Sequence, residues 1–437
     1  MTHLFFPSRL RPLALMMALG LTGAAQAQSL VDLYAAARDF DATYQSAKAQ
    51  NDANLYKADQ TMALVLPKVG INGTWNTGLA TDNRSFNNNT VTLDASQGLY
   101  RPADEASFAQ SRKAVQQAAT ALQIAEQDLV LRLSQSYFDV LASTDSLEYV
   151  RAQKVAVQEQ LAAAKRNFEV GTSTITDARE AQARFDLVLA QEIAAENDLR
   201  VKTLALAQLV GKPEVKPLPV APDFNLAEFS PIDMNEWLTI GQTEHPSIRQ
   251  YNLALEVARL ETQKANAANL PTVDLVGRYQ ASTNNGSVIS PAFSGSNAYT
   301  VGFNINLPLF AGYSIQNRIK ETLSLEDKAR ADLEAAQRNV AQATRAAFMG
   351  VDSALGQVRA YEAAAVSSQS ALDANKLGYQ VGVRINIDVL NSQSQLYDTK
   401  AKLSKARYDV LMGNLKLRQA SGILKAADLQ AINALLR

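Results

Sequence analysis

The chain repeats itself, and that restricts its fold more than any other feature. At a constant offset of 211 residues Phe168 aligns with Tyr379, Val170 with Val381, Gly171 with Gly382, Asp177 with Asp388 and Gln182 with Gln393. The match runs without a gap through Ala190/Ala401, Leu199/Val410 and Leu206/Leu417 to Gly211/Gly422. Residues 30–64 recur as residues 234–268 at an offset of 204, pairing Leu33 with Trp237 and Asp41 with His245. A tandem duplication means that each half holds the same supersecondary unit. The halves are 28–211 and 233–437. A proline-rich connector over 212–232 (Pro213, Pro217, Pro219, Pro222, Pro231) joins them and is expected at a waist.

Each half opens with a helical pattern that ends at the same punctuation, Leu66-Pro-Lys-Val69 and Leu270-Pro-Thr-Val273. Proline cannot donate the helical hydrogen bond and biases its predecessor towards extended geometry. Alternation follows: Val69, Ile71, Gly73 and Trp75 in the first half, Val273, Leu275, Gly277 and Tyr279 in the second. Polar loops over 80–89 and 281–297 lead to second alternating runs at Val91, Leu93, Ala95 and at Val301, Phe303, Ile305. One long-looped hairpin per half is predicted, over 67–100 and 271–310.

Beyond the hairpins almost nothing breaks a helix from Pro102 to Val170, or from Gly312 to Val381 apart from Gly350 and Gly356. Runs of that length span about 100 Å at ~1.5 Å per residue, more than a globular core needs. Ala118, Leu122, Ala125, Leu129, Leu133 and Tyr137 recur at spacings of three or four, as in a coiled-coil seam. Turns at Gly171 and Gly382 send each chain back in a helix capped by Gly211 or Gly422. The leading and returning helices together match one long helix, so they are expected to stack end to end beside it.

Residues 1–27 combine Arg9 and Arg11, an apolar run from Leu13 to Leu21 and Ala25-Gln-Ala27, and read as a secretory signal. Without Arg9 and Arg11 the chain holds 40 basic and 43 acidic residues, a balance that favours neither nucleic acid nor a strongly acidic ligand. It has no cysteine, and His245 is the only histidine outside the signal, which excludes thiolate and histidine-cluster metal sites in one chain. No run after the signal is long and apolar enough for a membrane helix. A membrane could be crossed only by strands. Four strands cannot close a barrel, so an oligomer would have to complete one. A small soluble sheet with core aromatics is the other reading of the same alternation.

Val381-Gly-Val-Arg384, Ile387-Asp-Val-Leu390, Ala406-Arg-Tyr408, Val170-Gly171, Ile175-Thr-Asp177 and Pro308-Leu-Phe310 resemble the outer membrane efflux protein family, in order and spacing, over nearly the whole mature chain. The resemblance implies a mainly α homotrimer whose 12-stranded membrane β-barrel continues as a periplasmic α-barrel of long antiparallel helices. It further implies an exit duct for drug efflux and type I secretion, with no cofactor and no enzymatic activity. The partners implied are outer membrane lipid, a periplasmic adaptor protein and an inner-membrane ABC, RND or MFS transporter. Val170-Gly171 and Val381-Gly382 would dock the adaptor. Tyr379 and Arg384 would latch the tip by bonding Asp177 and Thr176, respectively. On a threefold axis Asp388 would form a ring of carboxylates and Asn391 a ring of amides, a departure from the doubly acidic constriction of the family.

Two other classes fit parts of the pattern. A periplasmic coiled-coil adaptor or adhesin stalk shares the heptads but lacks paired strands at its top. An enzyme would need a phosphate loop, a nucleophile motif or a carboxylate pair in a globular setting, and none is found.

Overall fold

In the computed structural model residues 28–79, 85–221, 229, 231, 233–285 and 294–437 are described; the secretory signal expected over 1–27 lies outside them. The first half runs α1 (Leu30–Phe40), α2 (Ala42–Met62), β1 (Lys68–Leu79), β2 (Ser85–Tyr100), α3 (Pro102–Glu169) and α4 (Ile175–Val210). The second half repeats this order as α5 (Met234–Glu244), α6 (Pro246–Ala267), β3 (Thr272–Asn285), β4 (Ser294–Asn306), α7 (Ser314–Gln380) and α8 (Asn386–Ala420), followed by a short α9 (Asp428–Asn433). The long helices α3 and α7 have 68 and 67 residues. Each is about 100 Å long.

The leading helix of each half is two helices, not the one that its periodicity predicts. Asp41 and His245, paired by the repeat, leave helical geometry with ψ of 116° and 124°. Each ends one helix and caps the next. The Asp41 carboxylate accepts from the Tyr44 backbone N–H at 2.8 Å, and His245 Nδ1 accepts from that of Ser247 at 3.1 Å. Short acceptors suit the N-cap, and Pro246 sits at the first helical position, where no donor is needed.

These breaks build the waist. Gly211, with φ +68°, ends α4 against the Phe40 ring, and Gly422, with φ +79°, follows α8 against His245. A Cβ on Gly422 would lie 2.5 Å from His245 Cα, so only glycine fits there. The largest apolar core gathers here, around Leu30, Leu33, Leu133, Tyr137, Phe138, Leu411, Leu415 and Leu429, with Val215 of the connector inside it. The Tyr137 hydroxyl donates to Leu218 O at 2.8 Å, and residue pairs Gln28/Pro217 and Val220/Leu436 form β-bridges. The described part of the connector thus packs against this core.

The two hairpins join as one antiparallel sheet in the order β1-β2-β3-β4. The strands extend further into the polar stretches than the alternation predicts: Ser85–Asn89, Ala281–Asn285 and Ser294–Asn297 are all in the ladder. Backbone pairing with a neighbour decides strand ends there, and polar side chains do not oppose it. At the other end β4 stops at Asn306, before Pro308, which cannot donate to a ladder.

Register separates the two faces. Ile71, Leu93, Tyr279 and Tyr299 stand in one row across the sheet, and Val69, Ala95, Gly277 and Val301 in another. This apolar face is open to solvent in one chain, with Val301 80% exposed. The opposite face carries Asn72, Thr92, Asp94, Arg278, Gln280 and Thr300. There Arg278 Nε donates to Asp94 at 2.6 Å. At the base of the sheet Arg101, just before α3, holds Asp274 of β3 with two bonds of 2.5 and 2.7 Å.

Candidate functional site at the hairpin tips

The helices α3 and α7 end alike. Thr172 N–H reaches back to Asn167 O at 2.8 Å and Gly171 N–H to Phe168 O at 3.0 Å; Val383 N–H reaches Gly378 O at 2.9 Å and Gly382 N–H reaches Tyr379 O at 3.2 Å. This paired pattern needs a left-handed residue after the cap, supplied by Gly171 at φ +79° and Gly382 at φ +81°. A Cβ on either would meet nothing within 4 Å, and Val170 and Val381 are exposed beside them. The residues expected to dock an adaptor thus form two small, open turns.

The chain restarts differently in the two turns. Thr174 caps α4 by a reciprocal capping box with Asp177, whose carboxylate also accepts from Ser173 Oγ at 2.6 Å. The Ser173 hydroxyl, followed by the Thr174 backbone and side chain, holds the Asp177 carboxyl below its usual range. In the second turn Ile385 replaces Thr174 and offers no side-chain cap, and Asp388 has Arg384 at 3.7 Å.

The two bonds implied for the latch are not formed within one protomer among the described residues. The Asp177 carboxylate is occupied by its own cap, the Tyr379 hydroxyl accepts from Asn167 Nδ2 at 3.4 Å, and Arg384 reaches Asp388 instead of Thr176. Asn391 also has a partner on the first hairpin: its Oδ1 accepts from Arg184 Nη2 at 2.6 Å.

Besides apolar contacts, a polar ladder between α3 and α8 bonds the two hairpins to each other. Its rungs are Asp145 with Tyr408 at 2.8 Å, Tyr149 with Ser404 at 3.2 Å, Gln153 with Ser394 at 3.1 Å and Gln160 with Asn386. Burial pushes the Asp145 carboxyl up and the Tyr408 hydroxyl up, and the bond between them satisfies both. Apart from Tyr408 these residues were not singled out from the sequence. One signal was available: Asn386 stands where the repeat has Ile175, an amide in place of an apolar residue.

A family model described as "Outer membrane efflux protein" matches residues 33–212 and 240–423, one match to each half. The chain is 34% identical over 433 residues to the outer membrane protein TolC of Vibrio cholerae serotype O1, covering 98% of this chain and 99% of that one. It is 30% identical over 432 residues to the alkaline protease secretion protein AprF of Pseudomonas aeruginosa, covering 93% and 87%. Among solved structures, the fold is shared with the outer membrane protein VceC of Vibrio cholerae at a TM-score of 0.78 and 16% identity, covering 90% of this chain and 96% of that one. The CmeC outer membrane channel of Campylobacter jejuni gives a TM-score of 0.78 at 16% identity, covering 100% and 98%.

Proposed function

The chain belongs to the outer membrane efflux protein family, and from that membership we infer that it is an outer membrane exit duct serving efflux and type I secretion, with a long periplasmic extension. The family is one of channels and not of enzymes.

The carrying observation is the sheet: an apolar face, a polar face and two open edges above helices of about 100 Å. The outer edges of β1 and β4 expose backbone groups over 12 and 13 residues. In lipid each unpaired group costs several kcal/mol, so an open edge costs tens of kcal/mol. Pairing β4 of one copy with β1 of the next removes that cost. Three copies supply twelve strands, enough to surround a water-filled lumen lined by the polar face.

The helical hairpins then form a tube whose far end is the pair of glycine turns. Open turns at Val170-Gly171 and Val381-Gly382 suit the close approach of an adaptor's helices, and through the adaptor the duct would meet an ABC, RND or MFS pump in the inner membrane. The duct itself is passive. Asp388 is the carboxylate placed to line a constriction, because its counterpart Asp177 is occupied by the cap. Asn391, bonded to Arg184, serves the contact between hairpins. Tyr379 and Arg384 would latch across the boundary between copies, taking Asp177 and Thr176 of a neighbour when the tip is shut.

Fractionation tests this reading. The protein should be found in the outer membrane as a heat-dissociable trimer rich in β-structure that needs detergent for extraction. A monomer released with the periplasmic contents would overturn it and favour a coiled-coil stalk.

A further inference from the structure

Asn386 is the only rung of the polar ladder that touches both helices of the first hairpin among the described residues. It is the first residue of α8, and its side chain is 0% exposed. Its Oδ1 accepts from Gln160 Nε2 of α3, and its Nδ2 donates at 3.4 Å to the backbone oxygen of Asp177 in the first turn of α4. A backbone oxygen can only accept, so the orientation of the amide is fixed by its surroundings.

Its neighbours along α8, Ile387 and Leu390, lie in an apolar contact between the hairpins. Val157, Leu161 and Ala164 of α3, Ala181 of α4 and Leu390 of α8 form one buried cluster, with Ile387 packed against it. An amide buried beside such residues is costly unless both of its ends are bonded. The repeat gives an internal comparison. Ile175 occupies the equivalent place at the start of α4, is 48% exposed and cannot bond across hairpins. The amide was therefore placed on one hairpin only, where it faces the other.

We propose that Asn386 is a positioning residue that pins the second hairpin's tip to the first within each copy, and so sets the resting width of the duct. The proposal rests on the reading of the chain as a channel. The ladder above it, at Ser394, Ser404 and Tyr408, bonds the shafts of the hairpins, whereas the Asn386 rung decides whether the last turn of α7 and the first turn of α8 stay against α3 and α4. Its members carry no charge, so the pin is insensitive to salt and to pH between about 5 and 8, unlike an ion pair.

The absence of cysteine makes the test clean. Cysteines at Glu169→Cys and Gln380→Cys, exposed and equivalent in the two turns, would carry spin labels, with one labelled copy per trimer. Asn386→Ile, which installs the residue of the first repeat, should lengthen and broaden the distance between the labels and raise single-channel conductance at least twofold. Gln160→Leu should act in the same direction from the other side, and adding it to Asn386→Ile should change little, because the Gln160–Asn386 bond is already lost. If Asn386→Ile yields no trimer, Gln160→Leu decides alone. Unchanged distances in the folded variants would overturn the pin, and changed distances with wild-type conductance would overturn its control of width. A wild-type protein that conducts nothing, while the distances still respond, would instead refute the channel reading.

Discussion

Asp177 and Asp388 hold the same position in the two turns, yet the Asp177 carboxylate is tied to Ser173 and Thr174 in a complete capping box, and Asp388 has a single arginine 3.7 Å away. One duplicated carboxylate has become a structural cap, and its copy serves no cap. Thr174→Ala should cost about 1 kcal/mol of local stability at the first tip, within the usual range for a lost N-cap. The Asp177 carboxyl is held low in the fold, so its contribution is present above the ordinary carboxylate value and is lost as pH falls below it. Protection factors of the amides in residues 171–178, taken against the intrinsic exchange rate at each pH, should therefore fall on acidification towards pH 3 in the wild type, and much less so in Asp177→Asn.

Glycine replacements should separate docking from folding. Gly382→Leu meets no neighbour and costs only the left-handed backbone, roughly 1–2 kcal/mol. It should leave trimers intact while abolishing export. Gly422→Ala adds a collision with the His245 backbone at the waist and should lower the melting temperature and the yield of trimer. Loss of trimer in Gly382→Leu would show that the tip glycine serves the fold and not the partner.

His245 provides an acid-sensitive point at the waist. Burial holds its imidazole below the ordinary value, and its neutral Nδ1 caps α6. Its contribution is full above about pH 6.5, the unfolded value, and is lost as pH falls, because the unfolded chain then binds the proton more tightly. His245→Asn keeps a good cap without the titration. Denaturation at pH 7.5 and pH 5 should show a smaller loss of stability in this variant than in the wild type.

The buried rung at Tyr408 should behave in the opposite sense. Asp145 is pushed up by burial, so its ionisation opposes folding as pH rises, and the Tyr408 hydroxyl offsets that by bonding the charged form. Tyr408→Phe should cost about 1–3 kcal/mol at pH 7, the range for a lost bond to a charged group, and less near pH 4. Calorimetry at the two pH values would check it.

Much of this was legible in the sequence because long-range order here is carried by punctuation. Leu66-Pro67 and Leu270-Pro271 mark where helix becomes strand, and Gly171 and Gly382 mark the tips, since few residues tolerate those backbone angles. Aspartate does not forbid a helix, so the break at Asp41 was hidden, and only Pro246, which biases His245 towards extended geometry, signals its counterpart; in the fold Arg132 binds Asp41 and Gly422 after α8 packs against His245. The α3–α8 ladder was hidden for a similar reason. Gln, Ser and Asn suit a solvated face as well as a contact between helices, and only the packing tells which face meets which.

Conductance across a planar bilayer bears most directly on the proposal that the protein is a passive duct narrowed at Asp388. Purified trimer should give discrete, cation-selective steps without any nucleotide, and Asp388→Asn should lose most of that selectivity while still inserting. A bilayer that stays silent, or steps whose selectivity is the same in Asp388→Asn, would contradict that role.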